Sequence, residues 1–368
     1  MSRPTRATID LSALGHNLQY AKTLATDSKI MAVIKANGYG HGILHAAQGL
    51  AQADGFAVAC LEEAVVLRDA GYTQTVLLLE GVFQPQELAA VHKLSLTMVV
   101  HNKRQLEWLE QATLPGPVSV WLKIDSGMHR LGIQPHELDE VYLRLQSCVN
   151  VNQSIVLMTH LANADDRRDS YSTRQCESFN QTVQGIQAPL SIANSAALIS
   201  LPDTRTEWVR PGIMLYGASP FTGPASGDQQ LKPVMTLRSQ LIAIDNYRRG
   251  DRIGYGGTWV CPKDMAIGVV AIGYGDGYPR HAGSTTPVLV NGHKTTLAGR
   301  VSMDMITVDL STVPEARIGD EVVLWGTGLP VEEVAESAGT ISYELMCHVT
   351  SRVHVEVINA NDNTLSGQ

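Results

Sequence analysis

The sequence predicts an α/β fold in which an N-terminal (β/α)8 barrel is followed by a C-terminal all-β domain. Between residues 29 and 217, eight short aliphatic or β-branched runs alternate with segments whose apolar residues recur at helical spacing. After residues 232–233 the pattern changes to alternation of apolar and polar residues, interrupted by turn signals. Because strands that alternate with helices form parallel sheets, and eight such units close a barrel, the first region is predicted to be a barrel.

The eight predicted barrel strands are short apolar runs, each followed by a helical segment. They span residues 30–34, 56–60, 76–79, 96–100, 118–124, 155–159, 190–193 and 208–215. The Gly- and Pro-rich segment 221–233 is the predicted linker, which gives a barrel domain of residues 1–230 and a β domain of residues 231–368. A further short strand at about residues 5–10 has either the barrel or the β domain as its partner. In the β domain, Asn291 and Gly292 between two alternating runs predict a hairpin turn.

The composition and net charge of the chain indicate which partners and which cellular compartment to expect. The 368 residues carry a net charge of −8 without runs of Lys or Arg, so neither nucleic acid nor a membrane is an expected partner. The N-terminus lacks the apolar core of an export signal, and no apolar run is long enough to span a bilayer. The five cysteines are scattered, odd in number and without a CxxC pair, which favours a reducing, cytoplasmic compartment.

Lys35 is predicted to end the first barrel strand, directly before a Gly-rich segment. The C-terminal strand ends of a barrel face its active site. Partly apolar surroundings there would disfavour the ammonium form and leave the amine free to form a Schiff base. A surface lysine with its head in water is the equally weighted alternative. His41 and His45 have an HxxxH spacing without an evident third ligand, so no metal site is expected.

Two later segments are candidates for binding a phosphate. Ser195 follows the predicted seventh strand, and Arg210, Gly212 and Ile213 lie in the eighth. Barrels often bind phosphate from the loops after these two strands, through hydroxyl and backbone amide donors. Ordinary turn chemistry explains the same residues equally well.

Further polar residues mark the fifth and sixth strands and the β domain. Lys123 and Asp125 share strand parity, so both are predicted to point into the barrel, where an unpaired lysine would be costly. His160 ends the sixth strand and has three possible roles, as a base, a stacking platform or a core residue. Two Gly-flanked tyrosine motifs, at 253–257 and 273–278, either bring a phenol to a ligand or cap the β domain.

Nine segments together resemble bacterial alanine racemase in order and spacing. They are KANGYGHG, WLKIDSGMHRLGI, MTHLANAD, IANSAAL, WVRPGIMLYG, IGYGGTW, VAIGYGDGYPR, GRVSMDM and SYELMCHVTSRV. Each segment alone is weak evidence, but nine in sequence order, from about Thr8 to about Val357, are highly specific. The resemblance implies a pyridoxal-phosphate enzyme that interconverts L-alanine and D-alanine, either supplying D-alanine for peptidoglycan or serving alanine catabolism. It also implies a homodimer with shared active sites.

The resemblance also implies a role for each site residue. Lys35 would carry the cofactor, and Lys35 and Tyr255 would be the two acid–base groups. The implied cofactor contacts are Tyr39, Ser195, Gly212, Ile213 and Tyr343 at the phosphate, Arg210 at the pyridine nitrogen, His160 behind the ring and linked towards Arg210 and Tyr255, and Arg130 at the ring hydroxyl. Arg130 and the Met303 amide would contact the substrate carboxylate. Lys123 matches a lysine that many members carry as a carbamate.

Three alternatives compete with this resemblance, and the sequence argues against the first two. A fold-related decarboxylase for basic amino acids would place an acidic residue where Arg210 stands and a cysteine in the second-domain site, and neither is present. A non-catalytic pyridoxal-phosphate carrier would resemble the barrel alone, and this chain also has the β domain. A racemase of the same fold with broader amino-acid specificity is the third alternative, because the sequence does not give the width of the pocket.

Overall fold

A computed structural model describes residues 3–221 and 230–359 of the chain. Strand β1 (Arg6–Asp10) and helix α1 (Leu11–Leu24) precede the barrel. The Asp10 carboxylate begins α1, because it accepts hydrogen bonds from the backbone N–H groups of Ser12 (2.9 Å) and Ala13 (3.3 Å). β1 itself pairs with strands of the second region, as described below.

The first region is a closed parallel barrel of eight strands, as predicted. In order around the barrel they are β2 (Lys29–Val33), β3 (Gly55–Val58), β4 (Thr75–Leu78), β5 (Thr97–Val100), β6 (Ser119–Lys123), β7 (Val156–Met158), β8 (Leu190–Ser191) and β9 (Trp208–Val209). The helices after them are α2 (Lys35–Tyr39), α3 (Ile43–Gly49), α4 (Leu61–Asp69), α5 (Glu87–Lys93), α6 (Lys103–Gln111), α7 (Leu138–Ser147), α8 (Tyr171–Thr182) and α9 (Ser195–Ser200).

Two predicted strand ends differ from the structure. The first barrel strand ends at Val33, so Lys35 lies beyond it and begins α2. The last strand ends at Val209 rather than at residue 215, because Pro211 cannot donate a ladder hydrogen bond. Arg210 therefore follows the strand, and Ile213–Tyr216 forms a 3₁₀ turn. Both corrections move site residues from the barrel wall into the loops at its mouth.

The second region is built mainly from strands. They are β10 (Met235–Tyr247), β11 (Arg252–Ile253), β12 (Trp259–Val260), β13 (Met265–Val270), β14 (Pro287–Val290), β15 (His293–Thr296), β16 (Ile306–Asp309), β17 (Glu321–Trp325) and β18 (His354–Ile358). The main sheet has the order β15–β14–β17–β10–β1–β18, and β13 joins β10 to β16. β1 lies antiparallel to β10 and parallel to β18, so the first strand of the chain completes this sheet.

The second region is mostly β as predicted, and it also contains two short helices. They are α10 (Val331–Ala338) and α11 (Ser342–Cys347). The buried residues Val331, Val334, Ala335 and Ala338 follow helical spacing, but the segment is too short for that pattern to stand out. The predicted hairpin is confirmed: β14 and β15 pair directly across Asn291 (φ 49°) and Gly292 (φ 77°), both in the left-handed region.

Other predictions concern the linker, the cysteines and the membrane. Of the predicted linker 221–233, residues 222–229 lie outside the described part of the chain. All five cysteines are free thiols. Within residues 3–221 and 230–359, no helix has the length and apolar character that crossing a bilayer requires.

Candidate active site

A cavity of about 1020 Å³ opens at the C-terminal end of the barrel strands. Its walls come from the loops after the strands and, on one side, from α10 and α11. The predicted site residues that line it are Lys35, Tyr39, Lys123, Arg130, His160, Ser195, Arg210, Gly212, Ile213 and Tyr343. Residues separated by more than 300 positions in the sequence are thus brought to one cavity at the face where barrel enzymes place their chemistry.

Lys35 leads into a turn of unusual handedness. The four residues after it, Ala36, Asn37, Gly38 and Tyr39, have φ values of 53°, 53°, 62° and 51°. The segment α2 is therefore a left-handed turn, a conformation that costs roughly 1–2 kcal/mol for each residue other than glycine. Strain of this kind persists only where the surrounding structure imposes it.

One corner of the cavity is lined with hydrogen-bond donors. The Ser195 hydroxyl accepts hydrogen bonds from the backbone N–H of Gly212 (2.8 Å) and of Met214 (3.4 Å), which leaves its own proton free to point elsewhere. The Tyr39 hydroxyl faces Gly212 so closely that a Cβ there would lie 2.6 Å from the phenol oxygen. Burial raises the pKa of Tyr39 and of Tyr343, so both phenols keep their protons at neutral pH. Such a corner suits a phosphate group.

Arg210 is buried and rigidly held behind this corner. Its Nη1 donates to Ser191 Oγ (2.5 Å), and its Nη2 donates to the Thr159 carbonyl (2.6 Å) and lies 3.4 Å from His160 Nδ1. Burial lowers the pKa of Arg210 to about 10, so the guanidinium remains charged at neutral pH. Burial and the charge of Arg210 together hold the pKa of His160 well below its usual range. His160 is therefore a neutral ring beside a fixed cation.

Lys123 lies on the cavity wall among other cations. Only 7% of its surface is exposed. Burial, with the nearby charges of Arg210 and Arg130, lowers the pKa of Lys123 to about 8. Asp125, which shares its strand parity, does not line the cavity. Its carboxylate accepts the N–H groups of Gly127 and His129 at 3.0 Å each, so the prediction that both side chains point into the barrel holds for Lys123 alone.

Tyr255 and Met303 lie apart from this cavity. Neither residue lines it, and the two residues are 69% and 53% exposed. Tyr255 lies in a glycine-rich 3₁₀ turn at Tyr255–Gly257, after β11. The predicted link between His160 and Tyr255 is thus not made among the described residues of one chain, where His160 contacts Arg210 instead.

The loop that carries Met303 is held by charged residues from both ends of the chain. Asp276 is fully buried, and its carboxylate pairs with Arg3 (2.9 Å) and Arg352 (3.5 Å) and accepts the Gly273 N–H (3.0 Å). Arg352 also pairs with Asp304 at 2.6 Å, and the Gly275 N–H donates to the Met303 carbonyl at 2.8 Å. These contacts fix the position of the loop that carries Met303.

Sequence reasoning assigned no role to Asp276, Arg3 or Arg352. Asp276 stands inside the motif 273–278, whose predicted role rests on its tyrosines, and its partners lie near opposite ends of the chain. The signal available was the acidic residue among glycines, since a buried carboxylate needs a cationic partner. His41 was considered only as a metal ligand, although its ring makes hydrogen bonds beside Lys35 that are described below.

Comparison with known proteins identifies the family. The model of the alanine racemase N-terminal domain matches residues 9–220, and that of the alanine racemase C-terminal domain matches residues 234–357. The alanine racemase of Nitrosococcus oceani is 54% identical over 95% of this chain and 98% of its own length. The alanine racemase of Vibrio parahaemolyticus is 50% identical over 96% of this chain and 99% of its own length.

Solved structures agree with the sequence comparisons. The biosynthetic alanine racemase of Pseudomonas aeruginosa superposes with a TM-score of 0.94 at 47% identity, over 96% of this chain and 99% of its own. The alanine racemase of Acinetobacter baumannii gives a TM-score of 0.91 at 39% identity, over 96% and 99%. These relatives favour alanine over the broader amino-acid specificity considered above. The chain therefore belongs to the alanine racemase family and is an isomerase that interconverts the enantiomers of alanine.

Proposed function

We propose that this racemase works by a two-base mechanism, with pyridoxal phosphate on Lys35 and with Tyr255 of a second subunit opposite it. The observation that carries the proposal is the cavity at the barrel mouth, where the Lys35 amine, the donor-lined corner and the Arg210 guanidinium face one space. That space of about 1020 Å³ is large enough for a cofactor and an amino acid together.

The residues present fit pyridoxal phosphate. The hydroxyls of Ser195, Tyr39 and Tyr343 and the amides that begin the 3₁₀ turn at Ile213 would hold its phosphate. Gly212 keeps this corner open, because a side chain there would collide with the Tyr39 hydroxyl. When bound, the cofactor supplies the electron sink that makes the Cα–H of alanine acidic enough to lose at neutral pH.

Arg210 and His160 would set the electronic character of the site. A guanidinium held by Ser191 and Thr159 disfavours a second positive charge beside it, so it would keep the pyridine nitrogen unprotonated. An unprotonated ring withdraws less charge, which favours quick return of the proton to the substrate over side reactions such as transamination. His160, neutral and behind the ring, would add a flat surface without a further charge.

Racemisation requires proton transfer on both faces of the substrate. Lys35 would remove the proton from D-alanine on its own face, and Tyr255 would remove the proton from L-alanine on the other face. A phenol acts as a base at neutral pH only with a cation or hydrogen-bond donors nearby. The Arg210 and His160 pair at the barrel mouth is the partner that Tyr255 would find there.

Arg130 and Met303 would hold the substrate carboxylate, one from each side. Arg130 lines the cavity, while the Met303 amide would approach from the second subunit together with Tyr255. Lys123 is proposed to be carbamylated, because a pKa of about 8 leaves part of its amine neutral and able to react with carbon dioxide. The carbamate would then give Arg130 an anionic, forked partner.

The remaining proposals concern the oligomeric state, the domain boundary, the cellular compartment and the biological role. A homodimer with two shared active sites, acting on L-alanine and D-alanine, would bring Tyr255 and Met303 over the partner's barrel. We also propose the division into domains at residues 230 and 231. The five free thiols support a cytoplasmic location. Between peptidoglycan supply and alanine catabolism, similarity to a P. aeruginosa enzyme described as biosynthetic supports the first.

Borohydride reduction tests the central assignment. Reduction of the holoenzyme should fix a pyridoxyl group to the peptide that contains Lys35, and Lys35→Ala should abolish both the label and racemisation. Lys123→Gln is the control, because it removes the other lysine of the cavity and should leave the label in place. A label on any lysine other than Lys35 would overturn the assignment.

A further inference from the structure

Burial of the side chains of Ala36 and Asn37 does not explain the left-handed turn after Lys35. Ala36 and Asn37 are exposed, so burial of their side chains does not stabilise their positive φ values. Within the turn, the Gly38 N–H donates to the Ile34 carbonyl (2.9 Å) and the Gly40 N–H to the Ala36 carbonyl (3.1 Å). A right-handed turn would make bonds of the same kind, so something outside the turn must favour the left-handed form.

The first outside contact comes from His41. Its ring is buried, and Nδ1 lies 3.0 Å from the Gly38 carbonyl and 2.9 Å from the Tyr39 carbonyl. Since both neighbours are acceptors, Nδ1 carries the proton and donates to both. Among the described residues Nε2 has no hydrogen-bond partner. One ring N–H group therefore bridges two carbonyls of the left-handed turn, and the Gly38 carbonyl also accepts the backbone N–H of His41 at 3.0 Å.

The second contact comes from Glu63 in the first turn of α4. Its Oε1 accepts the Asn37 N–H at 3.2 Å, and its Oε2 accepts the Ala59 N–H at 2.9 Å. The carboxylate thus ties the middle of the left-handed turn to the next β/α unit of the barrel. Asn37 strengthens the arrangement, because its side-chain oxygen accepts the N–H of Ile43 at 2.9 Å.

The two ends of this turn are Lys35 and Tyr39. Both line the cavity, and the Tyr39 ring stacks on Tyr216 with centroids 4.7 Å apart. A right-handed path would move the Tyr39 hydroxyl away from Gly212. We propose that His41 and Glu63 are positioning residues, which lock the left-handed turn and so fix Lys35 and Tyr39 towards one bound cofactor. This inference rests on the proposed attachment of pyridoxal phosphate to Lys35.

Paired amide substitutions at His41 test this role. In His41→Asn the amide nitrogen takes the place of Nδ1, whereas in His41→Gln it takes the place of Nε2. The full-length apoenzymes of both variants and of the parent would be titrated with pyridoxal phosphate, with cofactor absorbance as the readout. His41→Asn should bind like the parent. His41→Gln should bind at least about tenfold more weakly, because the buried Tyr39 carbonyl loses the ring donor and the Gly38 carbonyl keeps only the backbone N–H of residue 41.

Glu63→Gln extends the test to the second contact. Glutamine offers one acceptor to two amides, so cofactor binding should weaken by a few fold, whereas Glu62→Gln, on the exposed neighbour, should change nothing. A crystal structure of His41→Gln should show residues 36–39 with altered φ values.

The outcomes separate this inference from the proposed function. If the parent enzyme does not carry its borohydride label on Lys35, the proposed function fails. If the parent is labelled there but His41→Gln keeps the left-handed turn and full cofactor affinity, the positioning role is wrong. Equal loss of affinity in His41→Asn and His41→Gln would also overturn it, because a general packing defect would then explain both.

Discussion

The barrel mouth and the β-domain loops differ in how completely one chain builds them. At the barrel mouth, ten predicted site residues line one cavity, and Arg210 is fixed there by hydrogen bonds to Ser191 and Thr159. In the β-domain, Tyr255 and Met303 stand on loops with more than half of each side chain exposed. The first region gathers cationic and hydrogen-bonding side chains around one space, while the second exposes Tyr255 and Met303 on its surface.

The two regions also differ in the contacts that fix their position. The Met303 loop rests on ion pairs of Asp276 with Arg3 and Arg352, so the loop itself is firmly placed although its outer side is exposed. A rigid, exposed loop is suited to dock against another surface with little loss of conformational freedom. This contrast is what the proposed active site, divided between two subunits, would require.

The largest expected effect follows from mixing two inactive variants. Lys35→Ala removes the proposed cofactor attachment and should leave no measurable racemisation. Tyr255→Phe removes one acid–base group and should lower activity by about 10²–10⁴-fold. If the sites are shared, a mixed dimer has one site with both lesions and one intact site. With random pairing about a quarter of all sites should be intact, so activity should rise towards that fraction.

The recovery of activity on mixing can be interpreted only if subunit exchange is verified independently. Mass labelling of one variant would show that mixed dimers form. Exchange without recovery of activity would contradict a shared site, because every site would then contain both groups from one chain. Mixing Lys35→Ala with a Lys35→Gln variant is the matched control, and it should recover nothing under either arrangement.

Arg210→Glu should have the next largest effect. The substitution replaces a cation near the proposed pyridine position by a carboxylate, which would favour protonation of the ring. We expect racemisation to fall roughly 10²-fold, the size typical of removing one preorganised charge, while pyruvate release from alanine rises. Arg210→Lys keeps the charge and should not raise pyruvate release. Unchanged racemisation and pyruvate release in Arg210→Glu would show that Arg210 does not face the ring.

Lys123 allows a smaller test within the barrel mouth. Lys123→Ala should lower activity by about tenfold, since a carbamate would give Arg130 a charge-assisted hydrogen bond. Small carboxylates added to this variant should restore part of the activity. Carbon-13 bicarbonate should give the parent enzyme a carbamate resonance that Lys123→Ala lacks. An unmodified lysine in clear density at neutral pH, with bicarbonate present, would contradict the proposal.

The sequence predicts the barrel and the β domain to different extents. The eight barrel strands were predictable because each β/α unit repeats a local pattern of apolar residues. The helices α10 and α11 were missed because segments of eight and six residues show too little periodicity. The family resemblance supplied the site residues of both regions, but the separation of Tyr255 from the cavity appears only in three dimensions.

Two features were beyond any local pattern. The left-handed turn includes Ala36 and Tyr39, which have no intrinsic preference for positive φ, and one of its contacts comes from Glu63, 26 positions after Asn37. The pairing of Asp276 with Arg3 joins residues 273 positions apart, and sequence spacing gives no indication of such a contact. Contacts of this kind depend on the tertiary fold rather than on local sequence.

The last expected effect is on stability rather than on activity, and it is a change in stability with pH that originates at His41. Burial, with a small contribution from His45, lowers the pKa of His41 from 6.5 to about 4. Because the folded protein favours the neutral ring, this stabilisation is fully present above pH 6.5 and is lost as pH falls from 6.5 through about 4. It is on the order of 3 kcal/mol at most. Denaturant unfolding of His41→Asn at a fixed protein concentration should show a shallower loss of stability than the parent between pH 6.5 and 4.5.

His160, whose pKa is also lowered in the folded protein, contributes equally to the parent and to His41→Asn. The exposed His136 gives the control, His136→Asn, which should keep the parent's dependence on pH. If His41→Asn and the parent lose stability in parallel over this range, the buried ring is not the group that titrates.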